Sequence, residues 1–493
     1  MVLLEAAVHQ TLKDWIRQQS DLGWPHQLTL GRLVSRALRL RRSALIQTGC
    51  LPRHYSAGYL LPCLLSQEPI NLVAPESRLQ CLLETEMPPL LGWLRRRGIE
   101  NSGGKNLRPL PPGLWLEERL NCASLDHPLT LMDQVESLEG WLRDFFTLSL
   151  RSADWEELSA LPEDLAESLG VYRVSLAKAL FARPVNAYGC YLLSAREEET
   201  LWNGLERLRD YFHRLPSLAR FWQARRRYGE NYLLWARVNR ELGQFSLQLA
   251  PVNLAPLAAD CWRSPLILMG GILGADKEAA AFRRTLGLGE TLCLQFLPQR
   301  LGEAWQLYLP ERVPAPNTPE FQGILFQEVH RLLCLPQPQN LVAVILLDDA
   351  PLKNRLGSRL AAEFGSRVKV ESSVPPGGIL IAGWEFWRSQ QHRFPSPGLV
   401  IFATLPIPSL ENPLVASRVN AYKRRHQDWF RDYLLPSALQ AIQSAVLPLG
   451  EETKLLAILD SRVNSRSYGP QILALLEPYA RLGALEEHQF WET

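Results

Sequence analysis

Four stretches carry residue types that do chemistry. The first is 43-SALIQTGCLPRHYSAGYLLP-62, an apolar run, a loop and a helix start. A loop in that position commonly cradles phosphate, using close-spaced glycines and a lysine. This one has no lysine and no glycine between Gly49 and Gly58. Arg53 and His54 offer positive charge and Ser56 offers a hydroxyl for a metal, whereas Pro52 has no N–H to give. The second stretch, 191-YLLSAREEET-200, follows a short apolar run with three acids. An acid pair after a strand can hold magnesium and activate water, but three consecutive glutamates more commonly open a solvated helix. The third feature is a mixture of arginine and aromatic residues at two places, 221-FWQARRRYGENYLLWARVNR-240 and 422-YKRRHQDWFRDY-433. Arginines there suit phosphates and the rings suit bases, with Arg225, Arg226, Arg227, Trp235, Arg424 and Arg425 as the candidates. The alternative of equal weight is a solvated helix face over core aromatics.

Other chemistries lack their residues. There is no G-x-S-x-G and no H-E-x-x-H, and the nine histidines are scattered. Eight cysteines form no C-x-x-C pair, so zinc ribbons and redox motifs are not expected, and a reduced, cytoplasmic chain is. The first residues hold charges and no apolar core of a signal peptide. The most apolar runs are too short to span a bilayer, so no membrane partner is expected. A net charge of +2 excludes a global basic field and leaves any nucleic-acid contact to local patches.

The elements that must position these residues are legible as short runs apolar on both faces. They are 44-ALIQ-47, 70-INLVA-74, 265-PLILM-269, 341-LVAVILL-347, 378-GILIA-382, 399-LVIFA-403 and 455-LLAIL-459. Such runs are strands of parallel sheets covered by helices, and stretches such as 354–364 and 434–446 supply the helices. Residues from about 91 to 245 read as mostly helical, and the proline-rich 310-PERVPAPNTPE-320 reads as a domain boundary. At 493 residues two or three domains are expected.

Several segments, in order, resemble the DinG/XPD-type helicases of superfamily two. They are 379-ILIAGWEFW-387, 400-VIFATLPIPSLENPLVASR-418 and 456-LAILDSRVNSRSYG-469, with weaker collinear matches at 59-YLLP-62, 73-VAPESRLQCLLETEMPPL-90 and 249-LAPVNLAPLAADCW-262. The resemblance implies an α/β fold: two RecA-like P-loop-NTPase-type domains with parallel sheets plus a largely helical insertion. It implies residues 1–90 and 175–275 as the first RecA-like domain, 91–174 and about 195–245 as helical insertions, and 276–493 as the second. Aligned to the family, Tyr55 stands at the lysine position and Ser56 at the hydroxyl position. Ser194-Ala195 stand for the Asp-Glu pair, 270-GGI-272 for the coupling turn and Arg388 for an acid. Gln443 is kept on the last motif, 443-QSAVLPLGEE-452, and both its arginines are missing. Arg418 joins the nucleic-acid candidates through its motif. The family's iron–sulfur cluster needs four cysteines, and residues 91–190 hold only Cys122 and Cys190, so none is expected.

The expectation is a helicase-like protein binding single-stranded DNA or RNA, or an unknown protein partner, without its own ATP hydrolysis. The alternatives are an active ATP-dependent DNA helicase with divergent motifs and a protein-binding scaffold. No cofactor is firmly implied. In the active alternative, Arg53, His54, Ser56 and Gln443 form a remnant site for ATP and magnesium.

Overall fold

The computed structural model describes residues 4–18, 24–50, 52–99, 106–121, 128–274, 276–296, 305–335, 340–446, 449, 453–483 and 485. Two parallel sheets and one antiparallel sheet organise them. The first sheet has six strands, in the spatial order Leu292–Gln295, Ala44–Gln47, Leu266–Gly270, Leu129–Met132, Ile70–Val73 and Leu107–Leu110. The second has seven, in the order Val368–Val370, Ile379–Ala382, Val342–Leu346, Pro397–Phe402, Leu455–Ile458, Trp305–Tyr308 and Tyr479–Leu482. Every pairing in both is parallel. All seven apolar runs read from the sequence are strands of these sheets.

Side-chain alternation explains why those runs are apolar throughout. Leu45, Leu266 and Leu268 enter one core, while Ile46, Ile267 and Met269 enter another on the opposite face of the first sheet. Ala343 and Ile345 divide in the same way from Val342, Val344 and Leu346 in the second. Helices cover both faces, so neither set meets water.

The boundaries differ from the sequence reading. Two strands of the first sheet, Leu107–Leu110 and Leu129–Met132, lie inside the segment expected to be helical insertion. The same sheet continues to Gln295, beyond residue 275. The strand 107-LRPL-110 escapes pattern reading because it is an edge strand holding Arg108 and Pro109, with only its end residues buried. The proline-rich 310–320 follows the strand Trp305–Tyr308, so it falls within the second unit and does not divide the two.

The insertion also has a sheet of its own. The antiparallel order is Leu148–Leu150, Gln244–Pro251, Tyr232–Asn239 and Cys190–Leu192. Its central hairpin turns at Gly243, whose φ of 62° favours glycine. Alternating buried residues in 244-QFSLQLAP-251 mark a half-buried strand that a search for helices passes over.

Candidate functional site

The remnant phosphate loop is short and closed. The strand Ala44–Gln47 is followed by a helix beginning at Pro52, Pro52–Leu65. Leu51 lies outside the described residues. The amides before it are already used: Thr48 N–H donates to the Gly270 carbonyl at 2.8 Å and Gly49 N–H to that of Gly271 at 2.7 Å. These groups therefore face the neighbouring strand's turn and form no concavity for an anion. Arg53 is exposed and donates to His54 Nε2 at 3.2 Å. The His54 carbonyl accepts from Gln27 at 2.6 Å. Ser56 is buried in the helix. Gln443, on the helix Leu435–Val446 of the second unit, is 3% exposed and its Nε2 has no partner. No hydrogen bond joins it to Arg53, His54 or Ser56. Residues 447–448 and 450–452 of the last motif lie outside the described residues.

The side chain at the lysine position takes another role. Tyr55 and Tyr59, one helical turn apart, both point at Asp133. Tyr55 Oη donates to its Oδ1 at 2.5 Å and Tyr59 Oη to its Oδ2 at 2.8 Å. Arg78 Nε donates to Oδ2 at 2.8 Å, and the Gln134 amide to Oδ1 at 2.9 Å. Arg78 also pairs with Glu86. Asp133 is 0% exposed and every oxygen is satisfied by the protein. Burial, with the Asp133 charge beside them, pushes both tyrosine hydroxyls well above their ordinary pKa, so they stay donors. Burial alone would lower the pKa of Arg78, yet Tyr59, Asp133 and Glu86 hold it raised.

Asp133 ends the strand Leu129–Met132, which is separated from Ala44–Gln47 by one strand. Through Tyr55 it meets the helix that follows the loop at 48–51. The sequence reading sought the pair at 191–200. There Cys190–Leu192 is an edge of the antiparallel sheet, outside both parallel ones. Ser194 caps the helix Ala195–Arg207 in a reciprocal box with Glu197, and Glu198 accepts from Tyr232 at 2.9 Å. The run of glutamates is thus a helix start. The overlooked signal was 129-LTLMD-133, a fully buried run ending in a lone Asp.

Glu136 fills the space of the coupling turn. A Cβ added to Gly270 would lie 2.5 Å from Glu136 Oε2. Burial, then the Asp133 charge, pushes the Glu136 carboxyl up to about 7, although its own amide, that of Gly271 and Arg388 oppose the rise. The same short turn, Val135–Ser137, meets the second unit. Gln440 donates to the Glu136 carbonyl, and Arg388 Nη1 to Ser137 Oγ at 3.4 Å. Arg388 therefore spans to the first unit from the place where an acid was expected.

The nucleic-acid candidates divide. Trp235 is 7% exposed and packs with Cys190, Val252 and Ala421 between the antiparallel sheet and the helix Pro413–Arg424. Its ring faces are thereby covered and offer no platform for a base. Arg225 is half-buried against Trp202 and Tyr232. Arg418 is half-buried beside Tyr433, and burial together with Arg143 lowers its pKa. Arg226, Arg227, Arg424 and Arg425 are exposed. One contact links the two stretches: Arg425 donates to Asn231 Oδ1 at 2.6 Å, three residues past the helix Pro216–Tyr228. On that helix Arg226 lies over the Trp222 ring and Arg227 over that of Phe146. Cys122 lies outside the described residues. Among those described, no three His, Cys, Asp or Glu side chains gather as a metal site, and no helix is long and apolar enough to cross a membrane.

No family model matches the chain. Over 106 residues it is 32% identical to the ATP-dependent DNA helicase YoaA of Escherichia coli (strain K12), a match spanning 21% of this chain and 17% of that protein. Among solved structures it is similar to Xpd4 of S. tokodaii, at 15% identity and TM-score 0.59, covering 91% of this chain and 97% of that one. An apo XPD aligns at 12% identity and TM-score 0.58 over 92% of this chain and all of that one. An XPD helicase aligns at 12% identity and TM-score 0.55 over 92% and 99%. The resemblance to DinG/XPD-type helicases is thus borne out, and the chain is built on the fold of the XPD helicases.

Proposed function

We propose that the chain binds single-stranded nucleic acid, DNA or RNA, on a helicase frame and does not hydrolyse ATP. The observation that carries the binding is the meeting of two arginine stretches far apart in sequence. The residues that follow the helices Pro216–Tyr228 and Pro413–Arg424 are joined by the Arg425–Asn231 hydrogen bond. Arg226, Arg227, Arg424 and Arg425 are all exposed and lie on the two stretches that this contact links, and we take them together as the binding surface. Exposed guanidinium groups there suit a phosphate backbone without reading its bases. The absence of hydrolysis rests on Asp133. Its oxygens are occupied by Tyr55, Tyr59, Arg78 and the Gln134 amide, so none is open to magnesium.

The test is binding of labelled oligo-dT and oligo-U by the full chain across a salt series. Replacing all four arginines with alanine should weaken binding and flatten the log–log salt slope by about 3, at roughly 0.7 per lost phosphate contact. No binding by the wild type at low salt, or an unchanged slope in the variant, rejects the surface. Strand-stimulated phosphate release from ATP that Asp133→Asn abolishes favours the active helicase instead, with Asp133 as its magnesium acid.

A further inference from the structure

A cavity of about 390 Å³ opens beside the strand Ile70–Val73 and the edge strand Leu107–Leu110 of the first sheet, away from the strand end that carries Asp133. Strand register sets a polar row along it. Asn71 lies between Arg108 on one neighbouring strand and Thr130 on the other. Those positions would be apolar in a sheet face that only packed helices. Asn71, Arg108, Trp115, Glu118, Arg119, Asn121 and Pro128 line the space.

Arg119 is the unexplained residue. It stands on the helix Pro112–Asn121 and is 5% exposed. Its Nη2 donates to Thr130 Oγ1 at 3.0 Å and to the Pro128 carbonyl at 3.3 Å. Its Nε has no acceptor, and the guanidinium lies 5.3 Å from the Trp115 ring centre. Among the described residues no carboxylate pairs with it. The neighbouring Cys261 thiol, pushed up to about 12 by burial, is neutral. Burial accordingly lowers the Arg119 pKa, with only Cys261 opposing. Buried cations ordinarily have a countercharge. Arg108, the second cation at the cavity, is paired with Glu118, the one carboxylate in its lining, so the two cancel and Arg119 is left as the uncompensated charge.

We propose that this cavity is a binding site for a small organic anion whose phosphate or carboxylate group is the countercharge of Arg119. The volume is that of a metabolite-sized ligand. Asn71 adds an amide that can donate to the same oxyanion, and Thr130 holds the guanidinium in place.

The experiment follows thermal unfolding of the full chain with inorganic phosphate, ribose 5-phosphate or benzoate, at ionic strength held constant with chloride. The wild-type Tm should rise with at least one anion, and which one responds separates phosphate from carboxylate recognition. Arg119→Met keeps the stem without the charge, so it should lose the response while melting no lower than the ligand-free wild type. Asn71→Asp places a carboxylate in the cavity, so it should raise the ligand-free Tm and likewise lose the response. The variant lacking Arg226, Arg227, Arg424 and Arg425 should respond as the wild type does, which separates this site from the strand-binding surface. A wild-type Tm indifferent to all three anions overturns the proposal. So does an equal rise in wild type and Asn71→Asp.

Discussion

Replacing Asp133 with asparagine tests whether that residue is structural or catalytic. In a working motor the acid at this strand end faces water and magnesium, and its amide is a silent replacement for folding. Here the side chain is 0% exposed and takes two tyrosine hydroxyls, the Arg78 guanidinium and a backbone amide. The asparagine amide brings N–H donors to a place already crowded with donors. It also leaves Arg78, 6% exposed, with Glu86 alone for countercharge. Breaking a buried pair costs about 3–5 kcal/mol, and the surviving Glu86 contact puts the expected loss near the lower end, about 3 kcal/mol. At about 2–4 °C per kcal/mol for a unit of this size, Tm should fall by roughly 6–12 °C. The assay is calorimetric unfolding of the full chain, with and without magnesium and ATP. Tyr55→Phe removes one of the donors and should cost about 1.5 kcal/mol, in the range for a hydrogen bond to a charged group. The reasoning is refuted if Asp133→Asn melts with the wild type in the absence of nucleotide but loses a Tm rise that magnesium-ATP gives the wild type.

Three further outcomes follow from the same geometry. Glu136 has a folded pKa of about 7 against an ordinary 4.5, so the folded state binds the extra proton between those values. Stability should therefore fall as pH rises from about 4.5 through about 7, by about 3 kcal/mol in all. Glu136→Gln, which mimics the protonated form, should lose less stability than the wild type between pH 5 and pH 8 in denaturant titrations. Gly270→Ala should cost about 1–3 kcal/mol through its contact with Glu136 Oε2 and Leu273, and less in a Glu136→Ala background. Additive costs across that double-mutant cycle exclude the contact. Trp235→Ala should destabilise by about 3–5 kcal/mol and leave strand affinity of the folded protein unchanged. An unchanged Tm with weakened strand binding makes Trp235 a stacking platform after all.

What was legible from the sequence, and what was not, has a physical pattern. Central parallel strands such as 342-VAVIL-346 are apolar on both faces because two cores meet on them, and composition alone reveals them. Edge strands such as 107-LRPL-110 carry polar residues and proline because one side pairs with nothing. The loop at 48–54 was correctly seen to lack a lysine. The use made of Tyr55 was not visible, because its partner Asp133 is 78 residues away and only the sheet brings them together. The same distance problem hid the contact between Arg425 and Asn231, which links the two arginine-rich stretches. The sequence left Trp235 open between stacking and core because its covering element, the helix Pro413–Arg424, comes from the other unit. Local composition reports what a residue is able to contact, whereas long-range pairing decides what it does contact.

The closure of the loop at 48–51 does not reduce to one missing lysine. Tyr55→Lys would put an ammonium beside Asp133, but both would stay buried beneath Tyr59 and Arg78. The Thr48 and Gly49 amides would still be bound to the Gly270 and Gly271 carbonyls. A serine at Gly270 would collide with Glu136. Each feature holds another in place: Arg78 needs Asp133, Asp133 needs the two hydroxyls, and Gly270 must be small because Glu136 is large. A single reversion therefore breaks a satisfied contact before it makes a catalytic one. On this argument Tyr55→Lys should gain no measurable binding of magnesium-ATP and should melt below the wild type. Nucleotide binding gained by that one substitution would show the closure to be local, with the rest of the pocket still able to open.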